Sequence, residues 1–310
     1  MSNSKLGDVT PFVVENGYNT CYMDSLLMAL FYTPSHIEHM LLKCDPTNPE
    51  YLYLQELIKI RFVDTIRKNQ SITADVINEI RNYSHTVGWK GFDELMEQHD
   101  VNEYHAFLMD IFNGTMIEIQ RQMITEGISI PEDKGAIEKI PFIPLTLLET
   151  DSEITIKDLL KRWMSDNTVD VKRETINDKG EKIITNVKGL NTFYILNTPV
   201  LIALSINRFP DPAQSTRLRT KIEIQKKIMP LKNSINSDSS ELKWQFHAAI
   251  CHKGETFKSG HYYAILQACG KWFMFDDLQI PSMCEIPMDN LDIINMIKME
   301  CVFVLYHAMM

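Results

Sequence analysis

The stretch Glu15-Asn16-Gly17-Tyr18-Asn19-Thr20-Cys21-Tyr22-Met23-Asp24-Ser25-Leu26-Leu27-Met28-Ala29-Leu30-Phe31 decides the fold. It begins polar, carries one Gly, and passes at Cys21 into a segment with Tyr22, Leu26, Leu27, Leu30 and Phe31 at helical spacing. That spacing predicts a helix over 21–31 with Asn19 or Thr20 as its N-cap. A cysteine at that point sits where a helix concentrates partial positive charge and unbonded backbone N–H groups. The setting is expected to lower a thiol pKa from ~8.5 towards ~3.5–7.5, which makes Cys21 a candidate nucleophile. On context alone, a small buried side chain at a helix start is an equal alternative. The other cysteines are plainer. Cys251 and Cys301 lie in apolar, strand-like runs, and Cys44, Cys269 and Cys284 in loop-like segments.

Outward from this stretch, the first half of the chain reads helical. Residues 51–68 repeat the pattern with Leu54, Leu57, Ile58, Ile60, Phe62 and Ile66. A helix capped by Ser71 or Thr73 is expected to reach Tyr83, and a fourth to cover 100–123. The second half changes character. Residues 140–148 read as extended, 156–164 as a short helix, and 175–191 as a hairpin turning at Asn177-Asp178-Lys179-Gly180. Strand-like runs follow at 192–196, 200–207, 220–224, 244–252, 261–267, 271–276 and 300–306, with a polar surface loop over 233–240. A helical lobe followed by a strand-rich lobe predicts an α+β protein with a cleft between them.

Of the 310 residues, 45% are hydrophobic and 23% charged, which excludes a largely disordered chain. Lys and Arg total 31 against 41 Asp and Glu, a net charge of −10 that argues against nucleic acid and for a basic protein partner. The first residues lack the apolar core of a signal peptide, and no apolar run approaches the ~18–20 residues of a membrane span. No membrane association is expected. An intracellular location, cytoplasmic or nuclear, and free thiols are. No Cys-x-x-Cys pair exists, and His247, Cys251, His252 and His261 suit strand alternation better than a metal site. No metal and no cofactor are expected.

A thiolate enzyme needs a base, and the base needs an orienting group. Ser259-Gly260-His261-Tyr262-Tyr263-Ala264 begins a strand after a polar loop, and Gly270-Lys271-Trp272-Phe273-Met274-Phe275-Asp276-Asp277 ends one with two carboxylates. A short turn at Cys269-Gly270 would pair the two strands and set Asp276 near His261. Singly, each has a bland reading as a surface His or a solvated strand end. In the order Cys21, His261, Asp276 they form a candidate triad.

At these residues the chain resembles the ubiquitin-specific proteases, the papain-like family of deubiquitinating enzymes. Residues 16–31 resemble the family's Cys box, around Asn19-Thr20-Cys21-Tyr22-Met23. Gln98-His99-Asp100-Val101-Asn102-Glu103 is similar to its Gln/Asp/Glu box, and Ser205-Ile206-Asn207-Arg208-Phe209 to its Leu-Lys-Arg-Phe strand. Residues 259–264 with 270–277 resemble its His box, and 300–306 its closing strand.

The resemblance implies an α+β, papain-like fold in one catalytic domain over 1–310. A helical thumb would cover about 11–140, and strand-rich fingers and palm about 141–310. It implies a thiol protease acting at the C-terminal Gly of ubiquitin, with ubiquitin and ubiquitinated proteins as partners. By that likeness Cys21 is the nucleophile, His261 its base and Asp276 the orienting carboxylate. Asn16 matches the oxyanion-stabilising Asn, and Asp277 a second acidic position that assists the triad or oxyanion in some members. Gln98 and Asp100 match positions expected to contact the ubiquitin tail, and loops at 210–219 and 253–259 match those that gate its channel. The chain departs from the pattern at Tyr18, where Gly is usual, and at Asp24, where Asn is usual. It also carries Asn207 where a basic residue is usual, and it lacks the zinc-binding Cys-x-x-Cys pairs of the fingers. A charged Asp24 facing Cys21 would oppose thiolate formation. Two alternatives share the same residues: a catalytically weak ubiquitin-binding module, and a protease for another ubiquitin-like modifier.

Overall fold

The computed structural model describes residues 10–42, 49–90, 94–125, 128–165, 167–176, 179–210, 217–229, 243–256, 259–287 and 289–309. Cys44 and the polar loop expected over 233–240 lie outside them, as do most of 210–219 and part of 253–259.

Helix α1, Cys21–Phe31, is buried along its whole length; its side chains are apolar apart from Asp24 and Ser25, which are buried with them. Around it stand α2 (Pro49–Glu56), which runs through a π-helical stretch (Leu57–Val63) into α3 (Asp64–Ile66), then α4 (Ala74–Thr86) and α5 (Val101–Ile111). The helix expected over 100–123 therefore ends early. Asn113 takes a left-handed φ of 47°, which stops the helix, and the chain continues as strand β1, Ile117–Thr125. The shift to strands expected near residue 141 thus comes at Ile117.

Strand β2 (Ile128–Ile140) follows β1, then β3 (Ile143–Thr146), β4 (Glu153–Thr155) and helix α6 (Ile156–Ser165). A hairpin forms from strands β5 (Asn167–Ile176) and β6 (Lys182–Ile195), wider than the 175–191 expected and taking in the run expected as a separate strand from 192. Ile176 lies opposite Lys182 and Asn167 opposite Asn191, and Asn177 and Asp178 of the expected turn lie outside the described residues. Both strands join β1 and β2 in a four-stranded sheet of order β2-β1-β6-β5. The remaining elements are β7 (Leu201–Asn207), β8 (Lys221–Glu223), β9 (Lys227–Ile228), β10 (Trp244–Thr256), β11 (Ser259–Ala268), β12 (Lys271–Phe275), β13 (Met283–Glu285), α7 (Leu291–Glu300) and β14 (Cys301–Ala308). They build a large sheet of order β13-β12-β11-β10-β14-β7-β3, with β9 added on β10. β4 and β8 pair separately.

The large sheet is buried on both faces, so its strands read as continuous apolar runs. Ile250 of β10, Tyr262 and Ala264 of β11 and Leu305 of β14 pack with α1 and α5. Their neighbours Cys251, Tyr263, Ile265 and Val304 point the other way, into a second core with Leu159 of α6 and Ile297 of α7. The α+β class expected from the sequence is the class observed.

Arg208 joins the second core to its surroundings. Its side chain is fully buried and donates to the carbonyls of Cys301 (2.7 Å), Leu218 (3.1 Å), Thr220 (2.9 Å) and Lys298 (2.8 Å). Burial lowers its pKa to about 10, so it remains a cation at neutral pH. Among the described residues no helix is long and apolar enough to cross a membrane.

Candidate active site

Residues 15–20 deliver Cys21 to the head of α1 through two consecutive left-handed residues, Tyr18 (φ 69°) and Asn19 (φ 56°). Non-glycine residues there cost about 1–2 kcal/mol each, and hydrogen bonds offset that cost. Arg81 donates to the Tyr18 carbonyl at 2.7 Å, Tyr18 N–H to Asn16 Oδ1 at 2.7 Å, and Asn19 Nδ2 to the Met96 carbonyl at 3.0 Å. Tyr18, where the family usually has Gly, thus holds a backbone shape that Gly takes more easily. Thr20 occupies the N-cap position, yet its side chain accepts from Gly17 N–H (2.8 Å) and donates to Asp24 (2.9 Å) instead of capping the helix. Met23 and Asp24 N–H donate to the Thr20 carbonyl, and the Tyr22 N–H is left at the Cys21 sulfur.

His261 is the third residue of β11, and β11 pairs with β12 through a two-residue turn. Cys269 (φ 51°) and Gly270 (φ 77°) both take the left-handed conformation that such a turn needs. Asp276 follows directly after β12, and its Oδ1 accepts from His261 Nε2 at 2.8 Å. Leu278 N–H donates to the same oxygen at 3.0 Å. Burial alone would raise the Asp276 pKa, but these bonds bring it below the usual carboxylate value. With Nε2 engaged by an acceptor, the Nδ1 lone pair of His261 is left for a proton. Gly260 is required before it. A Cβ there would come within 2.4 Å of His252 Nε2 and 2.6 Å of the Lys253 carbonyl.

Asp277 points the opposite way to Asp276, into the protein. Its Oδ2 accepts from Asn16 Nδ2 at 2.6 Å, and its Oδ1 lies 3.6 Å from His261 Nε2. Bonded at both ends, the Asn16 amide has a single orientation.

Cys21 is 3% exposed. Backbone N–H groups of Tyr262 and Tyr22 reach its sulfur and favour the thiolate, but burial outweighs them and the nearby Asp277 and Asp24 add to it. The thiol is pushed up to about 12. The lowered pKa expected from the helix terminus is therefore overturned, because desolvation exceeds the effect of the N–H groups. Alkylation of Cys21 by iodoacetamide in the free protein, with the rate of Cys21→Ala subtracted, is expected to climb through pH 9 without levelling. A plateau below pH 8 would show an ionised resting thiol.

Beside these groups lies an open cleft of about 870 Å³, lined by Asn19, Glu97, Gln98, Asp100, Glu103 and Ser259 among others. Gln98 Nε2 is 3.4 Å from His252 Nε2, and Asp100 accepts from Asn102 N–H at 2.7 Å as the N-cap of α5. The structure thus gathers His261, Asp276 and Asp277, with Asn16 bonded to Asp277, while the N–H of Tyr262, next to His261, reaches the Cys21 sulfur; Gln98 and Asp100 line the adjoining cleft. His247, Cys251, His252 and His261 do not form a group. Cys251 faces the second core, while His252 turns to the cleft.

Sequence reasoning missed three contributors. Arg217 donates to the His252 carbonyl at 2.7 Å and stacks 5.7 Å from the Phe209 ring, holding His252 in place behind Gln98. Ser282 takes the Val14 N–H at 2.9 Å, tying the residues after β12 to the strand leading into 15–20. Arg81 braces Tyr18 from α4. None belongs to a local pattern. Each acts on a segment more than 30 residues away in the chain.

A family model described as ubiquitin carboxyl-terminal hydrolase matches residues 14–304. Ubiquitin carboxyl-terminal hydrolase 7 of Drosophila melanogaster is 26% identical over 293 residues, covering 88% of this chain and 24% of the relative. Ubiquitin carboxyl-terminal hydrolase 17-like protein D of Mus musculus is 21% identical over 294 residues, covering 88% of this chain and 51% of the relative. The chain thus spans about a quarter to half of these curated relatives. Among solved structures, the SAGA Ubp8/Sgf11/Sus1/Sgf73 DUB module bound to ubiquitin aldehyde contains a chain that superposes with a TM-score of 0.70 at 16% identity. The match covers 99% of this chain and 71% of that one. The same module bound to monoubiquitin gives 0.72 at 15% identity, covering 100% and 72%. The fold is thus that of the papain-like ubiquitin-specific proteases, and a family match running almost from end to end makes this chain a member of the ubiquitin carboxyl-terminal hydrolase family.

Proposed function

We propose that this protein is a deubiquitinating thiol protease that hydrolyses the peptide or isopeptide bond at the C-terminal Gly of ubiquitin. The observation carrying this reading is the Cys21 thiol at an uncapped helix start, beside the His261–Asp276 pair bonded at 2.8 Å. The helices α1–α5 serve as thumb, the sheet of β1, β2, β5 and β6 as fingers, and the large sheet as palm. The ubiquitin tail runs along the cleft past Gln98 and Asp100, whose acidic lining suits its arginines. An unprotected thiol nucleophile suits a reducing compartment, cytoplasmic or nuclear.

The chemistry divides into two steps. His261 Nδ1 takes the Cys21 proton as sulfur attacks the Gly carbonyl, and the oxyanion that forms is met by Asn16 Nδ2 and the Cys21 N–H. Losing one such donor typically raises the barrier by about 2.7–4 kcal/mol. His261 then protonates the leaving amine, the C–N bond breaks, and a thioester remains on Cys21. Water, deprotonated by His261, releases ubiquitin and restores the thiol. Asp276 holds the ring throughout and stabilises the imidazolium.

The test is intact mass after mixing with ubiquitin carrying a thiol-reactive group at its C-terminus. One adduct on the parent and none on Cys21→Ala is the expected result. No adduct while ubiquitin still binds would replace protease with binding module. An adduct only with another modifier would change the substrate.

A further inference from the structure

The site contains a pair of buried carboxyl groups that the mechanism above does not explain. Asp24, on the first turn of α1, is 0% exposed, and the Asp277 side chain is 0% exposed. The two are in hydrogen-bonding contact. Asp24 Oδ2 accepts from Thr20 Oγ1 and Asp277 Oδ2 from Asn16 Nδ2. That leaves Oδ1 of each, both buried without a donor. Two carboxylates are acceptors only and repel, so contact between them away from water requires one proton. A single proton between the two carboxyls satisfies both orphan oxygens.

The surroundings decide which residue carries it. Burial raises Asp277 as well, but the His261 imidazole 3.6 Å away and a hydrogen bond from Asn16 oppose that rise and favour its anion. The titratable and charged groups around Asp24 are Cys21 and Tyr22 on its own helix, Arg81 on α4, Tyr104 on α5, and Asp277. Of these only Arg81 is a cation, and its guanidinium is bonded to Tyr18 and Asn78. Burial raises Asp24 well above the ordinary carboxylate range, and Asp277 raises it further.

We propose that Asp24 is a positioning residue whose carboxyl enters the fold as the acid, donates its proton to Asp277, and through Asp277 aims the Asn16 amide at Cys21. The part concerning Asn16 rests on the proposed protease reading. The proton assignment does not. Asp24 then carries no charge against the thiolate, so the departure from the family's usual Asn is chemically small. Asn would supply the same donor to Asp277 and the same acceptor to Thr20.

Two variants test this. Asp24→Ala is expected to lower kcat on a fluorogenic ubiquitin amide at least tenfold with KM within about twofold. Asp24→Asn is expected to recover kcat to within about threefold of the parent. Thermal unfolding supplies a readout independent of activity. A group protonated when folded but ionised when unfolded loses stability as pH rises above ~4. The Tm advantage of Asp24→Asn over the parent should therefore widen by at least about 5 °C between pH 5 and pH 8. A gap that stays flat overturns the proton assignment. Asp24→Asn as slow as Asp24→Ala overturns the positioning role. If the parent itself fails to turn over ubiquitin amide, the protease reading falls, and the Tm series still decides the state of Asp24.

Discussion

His261→Ala lowers kcat by about 10⁴-fold or more, while affinity for ubiquitin, measured directly, stays within about threefold. The size follows from the burial of Cys21. With its pKa pushed up to about 12, only about one thiol in 10⁴–10⁵ is ionised at pH 7.5. The helix terminus does not ionise it, so the proposed reaction makes the thiolate by proton transfer, with His261 as the base. The same imidazole must later protonate the leaving amine, so its loss affects both halves of the first step. Binding is spared because His261 is engaged with Asp276 and does not belong to the acidic lining of the cleft. Retained turnover would overturn the triad.

Arg208→Ala is expected to destabilise the fold by about 3–5 kcal/mol, the sum of several acceptors each losing a charged donor at ~1–3 kcal/mol. Four carbonyls, of Leu218, Thr220, Lys298 and Cys301, would lose a charged donor, and those of Thr220 and Cys301 are buried away from water. They belong to three separate segments: the stretch before β8, the last turn of α7 and the start of β14. Urea unfolding reads the effect. A loss below 1 kcal/mol would mean that the carbonyls find other donors. The Arg-Phe pair was noticed through family likeness, but what Arg208 does is hold the large sheet to the helix behind it.

Much of the site was legible because it is local. The start of α1 at Cys21 follows from the apolar spacing that begins there, and the approach of Asp276 to His261, 15 residues earlier, follows from a two-residue turn between their strands. The hairpin of β5 and β6 was legible for the same reason. The strand at Ile117–Thr125 was not. Its apolar residues Ile117, Ile119 and Met123 fit either period, and the choice was made by β6, more than 60 residues away. Asn113-Gly114 was the local sign that the helix stops.

The sequence by itself determined the local pieces: a helix head bearing Cys21, and two strands joined by a short turn that sets Asp276 against His261. Those pieces follow from short-range backbone preference and side-chain spacing. Only the tertiary structure decided how they come together and what charge they carry. Packing β11 over α1 removes water from Cys21 and drives its thiol up. Bringing the residues after β12 onto the first turn of α1 presses Asp277 against Asp24 and leaves that carboxyl neutral. Whether a group ionises depends on the water it loses and the charges it meets, and both are set by segments distant in the chain.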